Sequence, residues 1–285
     1  MEELSKDLQQ AVKDVELEIL KQFVSACEKY SLKYYLMGGT LLGAIRHQGF
    51  IPWDDDIDVG MPRSDYEKLL ELAQEVIKPP YFLQNIYTDA SYPGIHSKIR
   101  NSNTTFIEST SRKLNINHGI FIDIFPLDYY PQDGEEQKRL DRIVHSLNRR
   151  ISDCYYVFDT KQSVKRRVIG LVDRVKNPDA RATLLERDKV LKSVKKDALV
   201  INWGGAWGKK EIVPAEWYGN GADAVFEGIH VKIPSDYDKW LTQVYGNYMQ
   251  LPPEEKRVTH HFTEVIDPYK PYTDYGDKYG RNARI

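Results

Sequence analysis

The chain has 285 residues, 41% of them hydrophobic, with 40 Lys and Arg against 42 Asp and Glu. That near balance gives no polyanion-binding field, so no nucleic-acid partner is expected, and two cysteines, Cys27 and Cys154, exclude a disulfide framework or a Cys-rich zinc site. The polar start MEELSKDLQQ is not a secretory signal, and no stretch approaches the roughly 20 apolar residues of a membrane span, so a cytoplasmic protein is expected, with the inner membrane face as its one membrane contact.

Residues 4–30 predict an amphipathic helix, because Leu8, Val12, Val15, Ile19, Phe23 and Cys27 recur at steps of three and four. KYYLM (33–37) predicts a short strand, broken by Gly38 and Gly39, and TLLGAIRH a short helix. After Gly49 and Pro52, DIDVGM predicts a second strand. Pro62 and Ser64 open a helix to about Ile77, stopped by Pro79 and Pro80. YFLQNIY and IHSKIRNSNTTFIES read as further strands, and GIFIDIFPLD (119–128) as an apolar strand ended by Pro126. The alternation implies an α/β (α+β) fold with a mixed sheet. The expected organisation is an α/β core at 1–134, a charged helical insertion at 135–200, and a segment rich in Gly, Trp, Tyr and Pro at 201–285 that packs back on the core.

FIPWDDDIDVGM (50–61) places Asp54, Asp55, Asp56 and Asp58 beside apolar residues. On a strand, Asp54, Asp56 and Asp58 share one face, although Asp54 follows Pro52 closely enough to remain in a turn. Two carboxylates roughly 6–7 Å apart repel by about 2.5 kcal/mol at an effective dielectric near 20, a cost that a divalent cation removes. A solvated acidic turn is the plain alternative, but Ile57, Val59 and Met61 put the acids at the edge of a core. An EF-hand loop from Asp54 would need Gly and Glu where Val59 and Asp65 stand. A phosphatase nucleophile would follow an apolar strand, whereas Trp53, Asp54 and Asp55 precede Asp56. A glycosyltransferase DxD motif on Asp56 and Asp58 stays open.

Upstream, MGGTLLGA (37–44) brings a Gly-Gly turn into a helix start, where free N–H groups can face an anion. Asp123 stands alone among the apolar residues of GIFIDIF, and a buried carboxylate needs a partner. A Gly-Gly turn into a helix followed by Asp-x-Asp on a strand resembles the nucleotidyltransferase superfamily. GGTLLGAIRHQGFIPWDDDID, FIDIFPLD and YGNYMQLPPEEKRVTHH together resemble the LicD family of bacterial phosphotransferases, related to the fukutin group. The resemblance covers the N-terminal core and the tail, and constrains 135–200 little.

That resemblance implies transfer of phosphocholine or a related polyol phosphate from a CDP-activated donor to a sugar of a cell-surface glycan precursor, such as teichoic acid, capsule or lipopolysaccharide. It implies Mg²⁺ (or Mn²⁺), two ions, on Asp56 and Asp58, with Asp123 completing the metal site or accepting the hydroxyl proton, and Asp54 holding a metal-bound water. Gly38, Gly39 and Thr40 would cradle phosphates. Arg46 and His47 at the end of the short helix, and Lys98 and Arg100 two apart on a strand, are phosphate candidates or surface ion pairs. His260 and His261 join the substrate site through the tail motif. A choline group would be held by aromatic faces, with Trp203, Trp207, Trp217, Tyr218 and Tyr245 as candidates. KQSVKRRVIGLVDRVK (161–176), with Lys165, Arg166 and Arg167, reads as an amphipathic helix that packs on the core or lies on an anionic membrane, near a lipid-linked acceptor.

Overall fold

The computed structural model describes residues 5–155, 172, 180–257 and 263–275. The basic helical stretch at 161–176, apart from Val172, and the pair His260 and His261 lie outside the described residues. Helix α1 (Lys6–Tyr30) begins where the Ser5 side chain accepts from Leu8 N and ends at Ser31 in a left-handed conformation. Strand β1 (Tyr35–Leu36), helix α2 (Gly38–His47), strand β2 (Asp58–Pro62) and helix α3 (Arg63–Val76) follow.

Strands β3 (Tyr81–Gln84), β4 (Ser97–Asn101), β5 (Thr105–Glu108) and β6 (Ile120–Tyr130) come next. Then come helices α4 (Gly134–Tyr155) and α5 (Ala180–Lys192), and strands β7 (Leu199–Asn202) and β8 (Val213–Pro214). Hairpin β9 (Ala222–Phe226) and β10 (Ile229–Ile233), helix α6 (Tyr237–Tyr245) and β11 (Thr263–Asp267) complete the order. The α/β expectation holds: the main sheet is mixed, in the order β1-β2-β6-β4-β3, with β7 and β8 joined through β6.

Strand β6 organises the sheet. One edge runs parallel to β2, with Asp58 opposite Asp123. Its other edge pairs antiparallel first with β4, up to Ile124 opposite Ser97, and then with β7, from Leu127 opposite Asn202. This explains one departure from expectation, because the strand runs through Pro126 to Tyr130. Asp123 N donates to Ile57 O on the β2 side at 2.8 Å, so by alternation an N–H at 126 would point to the other edge. There it falls between the β4 and β7 pairings, where no ladder bond is needed, and proline costs nothing.

Alternation sorts the two faces. Val59, Met61, Ile99, Ile122 and Ile124 share one cluster with Ile19, Leu20 and Phe23 of α1 and Tyr66 and Leu69 of α3. The opposite face carries Asp58, Asp123 and Lys98 side by side in register across β2, β6 and β4. The C-terminal part closes over this core. Strand β11 pairs with β5, and Thr105 Oγ1 donates to Lys270 O at 2.8 Å.

Candidate active site

The acid segment is not one strand. Asp54 N donates to Ile51 O at 2.9 Å, closing a turn with Pro52 at its second position, and strand pairing begins only at Asp58. Proline lacks the N–H and fixes φ, so the chain turns here before it extends. Asp54, Asp55 and Asp56 therefore leave the alternation expected of them. They converge instead, each offering a carboxylate oxygen within 4.8 Å of the others.

Helix α2 meets these acids head on. Met37 at its start has no capping side-chain bond. The Asp58 and Asp54 carboxylates close over its first turn, where free N–H groups favour negative charge. The two glycines make this approach possible. Gly38 has φ +52°, and a Cβ there would stand 2.9 Å from Asp58 Oδ2; a Cβ on Gly39 would collide with Asp54 Oδ2. The helix is tied to the strand by Met37 N donating to Asp58 O at 2.9 Å and by Asp58 N donating to Thr40 Oγ1 at 2.8 Å. Thr40, expected at the phosphates, is buried, and its hydroxyl serves the acid strand.

Burial raises the Asp58 pKa, and Asp56, Asp123, Asp54 and Glu211 raise it further. Its neighbour Asp123 goes the other way. Burial alone would raise Asp123, but Lys98 Nζ at 3.1 Å and His96 Nε2 at 3.0 Å hold it below the usual carboxylate range. Lys98 also lies over the Phe121 ring, 3.3 Å from its centroid. Lys98 is thus a partner of an acid of the site. Arg100 is fully buried, donating to Gln84 Oε1 and to Gly119 O, each at 2.6 Å, with Glu108 at 3.6 Å. It braces β4 and does not line the cavity described next.

The acids open into a cavity of about 780 Å³, lined by Gly38, Gly39, Arg46, Trp53, Asp54, Asp56 and Asp58 on one side. Asn202, Gly205, Trp207, Glu211, Tyr245 and Tyr248 line the other. Arg46 Nη1 donates to Tyr248 O at 2.8 Å, and Nε donates to His47 Nε2 at 3.0 Å. Burial and Arg46 lower the His47 pKa, which suits a neutral ring accepting that bond. Of the aromatic candidates, Trp207 and Tyr245 line the cavity. Tyr218 and Trp217 pack into the main core, and Trp203 meets Tyr130 edge to face.

Two acids escaped the sequence reading. Glu16 of α1 is buried, and its Oε2 has no hydrogen-bond partner among the described residues. Burial raises its pKa, followed by Asp56 and Asp55, so it backs the acid cluster from behind. The signal was an acid in the core-facing row Val12, Glu16, Leu20. Glu211 follows a polar loop and precedes the apolar pair Ile212 and Val213, a weaker signal.

The donor set fits a hard divalent cation. Carboxylate oxygens converge from Asp54, Asp55 and Asp56, and Asp58 beside them carries charge that nearby acids make costly. Residues 31–162 match the family model described as LicD/FKTN/FKRP, nucleotidyltransferase domain. The lipopolysaccharide cholinephosphotransferase LicD of Haemophilus influenzae is 32% identical over 254 residues, 87% of this chain and 94% of that protein. Human ribitol 5-phosphate transferase FKRP is 44% identical over 48 residues, 17% of this chain and 10% of that one. An uncharacterized Rickettsia prowazekii protein, RP689, is 33% identical over 115 residues, 40% of each chain. Among the described residues no helix is long and apolar enough to cross a membrane. With acid turn, glycine pair and sheet register in place and likeness running along most of its length, the chain belongs to the LicD family.

Proposed function

We propose that this protein transfers phosphocholine from a CDP-activated donor to a sugar hydroxyl of a cell-surface glycan precursor. The observation that carries the reading is the set of acids converging on the start of α2 at one wall of a cavity of about 780 Å³, within the size range of small-molecule sites. The 32% identity to a lipopolysaccharide cholinephosphotransferase supports the transferred group and the glycan acceptor.

Asp54, Asp56 and Asp58 would hold Mg²⁺, as one or two ions, with Asp123 completing the set from β6. The metal would supply charge neutralisation on the transferring phosphoryl group, the main requirement of this chemistry. Of the two roles open to Asp123, its contacts with Lys98 and His96 favour the permanent anion, since a carboxylate held ionised is a weak proton acceptor. Gly38 and Gly39 keep the α2 start open to the acids and to phosphate oxygens. Arg46, which lines the same cavity, would meet phosphate with the part of its guanidinium not spent on Tyr248 O and His47. In the reaction the sugar oxygen bonds to the phosphorus carrying choline, the pyrophosphate bridge breaks, CMP leaves, and the hydroxyl proton passes to water in the cleft. An acceptor on a membrane lipid would place the protein at the inner face of that membrane.

Thermal shift against CDP-choline, CDP-ribitol, CDP-glycerol, UDP-glucose and GDP-mannose, each with and without Mg²⁺, tests this reading. The expected result is a Mg²⁺-dependent rise with CDP-choline that Asp56→Asn abolishes. A rise with only the UDP or GDP sugars would replace the reading with a glycosyltransferase using Asp56 and Asp58.

A further inference from the structure

We propose that Trp207, Tyr245 and Glu211 form the subsite that takes the quaternary ammonium of the transferred group. This rests on the phosphocholine reading above and assigns that group a place in the cavity.

The two rings are fixed against each other. Their centroids are 4.9 Å apart at 77°, an edge-to-face contact. Trp207 is 43% exposed, so part of its surface is left open beside the cavity. It already attracts positive charge, with Lys210 Nζ 5.3 Å from its centroid.

Glu211 supplies the countercharge. It is 3% exposed yet lines the cavity, and Gly205 leaves room for its carboxylate where a Cβ would collide. Its carboxylate accepts from Trp207 N at 3.1 Å, a neutral donor. Among the described residues no salt bridge reaches Glu211, and a buried carboxylate so placed gains most from a cation. Burial pushes its pKa up to about 7, as expected of an anion still short of its counter-ion.

The arrangement favours a quaternary over a primary ammonium. A trimethylammonium group donates no hydrogen bond, so it needs aromatic surface and a diffuse negative field, which these residues give. Tyr245 and Glu211 line the same cavity as Asp54 and Asp58. One ligand can therefore place a phosphoryl group at the acids and its ammonium against Trp207.

Steady-state transfer from CDP-choline and from the uncharged-headgroup donor CDP-glycerol is compared in wild type, Trp207→Leu and Glu211→Gln. The expected result is a KM for CDP-choline raised at least tenfold in both variants, with kcat changed less than threefold and CDP-glycerol kinetics unmoved. Equal losses with both donors, or a Glu211→Gln loss confined to kcat, would overturn the subsite; the second outcome would make Glu211 a proton acceptor. Glu211→Gln keeps the side-chain shape, so it carries the test if Trp207→Leu fails to fold. If wild type transfers from neither donor, the proposed function fails, and the subsite is judged separately by tetramethylammonium binding followed by NMR saturation transfer. Binding to wild type but not to Glu211→Gln upholds it, and no binding to wild type overturns it.

Discussion

Asp58 and Asp123 stand opposite each other across β2 and β6, yet the protein treats them in opposite ways. On the β4 side, Lys98 and His96 meet Asp123, and Arg100 and Glu108 extend the charge balance toward β3. On the α2 side, acids gather around acids, and the groups acting on Asp58 all raise its pKa. Asp123 is held as an anion by Lys98 and His96, whereas Asp58 is buried among acids that make its charge costly. That contrast distinguishes two members of one acid set, and the number of acids alone does not show it.

The strongest way to break this comparison is Asp58→Asn. We expect transferase activity to fall on the order of 10³-fold, as when a phosphoryl-transfer site loses a metal ligand. The same variant should melt higher than wild type in EDTA, because it removes an acid that the fold holds at a cost, and Mg²⁺ should no longer raise its Tm. A melting point below wild type in EDTA would mean that the acids around Asp58 do not make its charge costly.

Lys98→Met probes the other half. It strands Asp123 in a buried place and should cost about 3 kcal/mol of stability by denaturant unfolding. A loss in activity with unchanged stability would instead make Lys98 a ligand-facing cation.

Glu211 sharpens the comparison through pH. Its pKa is raised from 4.5 to about 7 on folding, so the folded chain holds an extra proton between those values. Its contribution to stability is full below pH 4.5 and is lost as pH rises through 7. Glu211→Gln should therefore be more stable than wild type at pH 8, by on the order of 2 kcal/mol, with the gap closing near pH 4.5. The smallest effect belongs to the exposed pair of Lys232 and Asp223, where Lys232→Ala should leave Tm within about 1 °C.

Much of this was legible before any coordinates. The three-four periodicity of α1 and the apolar run of β6 are local signals and place their elements, though β6 runs on through Pro126, and Gly38 and Gly39, expected as a break, open α2 instead. The acids at Asp54 to Asp58 were visible as a cluster, but their grouping was misread as one strand face because Pro52 sets a turn whose extent no periodicity reports. Lys98 and Arg100 look alike as a two-apart basic pair. Only the register shows that Lys98 meets Asp123 while Arg100 is spent on Gln84 and Gly119. Glu211 was hidden because its burial and the cavity it shares with Tyr245 and Asp58 are set by tertiary folding.

Strand β6 also sets an order of assembly. Its outer edge from Leu127 to Tyr130 is completed by residues 199–202, which leave the ribosome only after α4 and α5. Until then a nascent chain carries an open, apolar strand edge beside the half-built cleft, the kind of surface that recruits a second chain. Premature termination between α5 and β7 should thus yield an aggregating product, and the helices ahead of β7 act as a delay between laying down the acids and sealing the sheet that holds them.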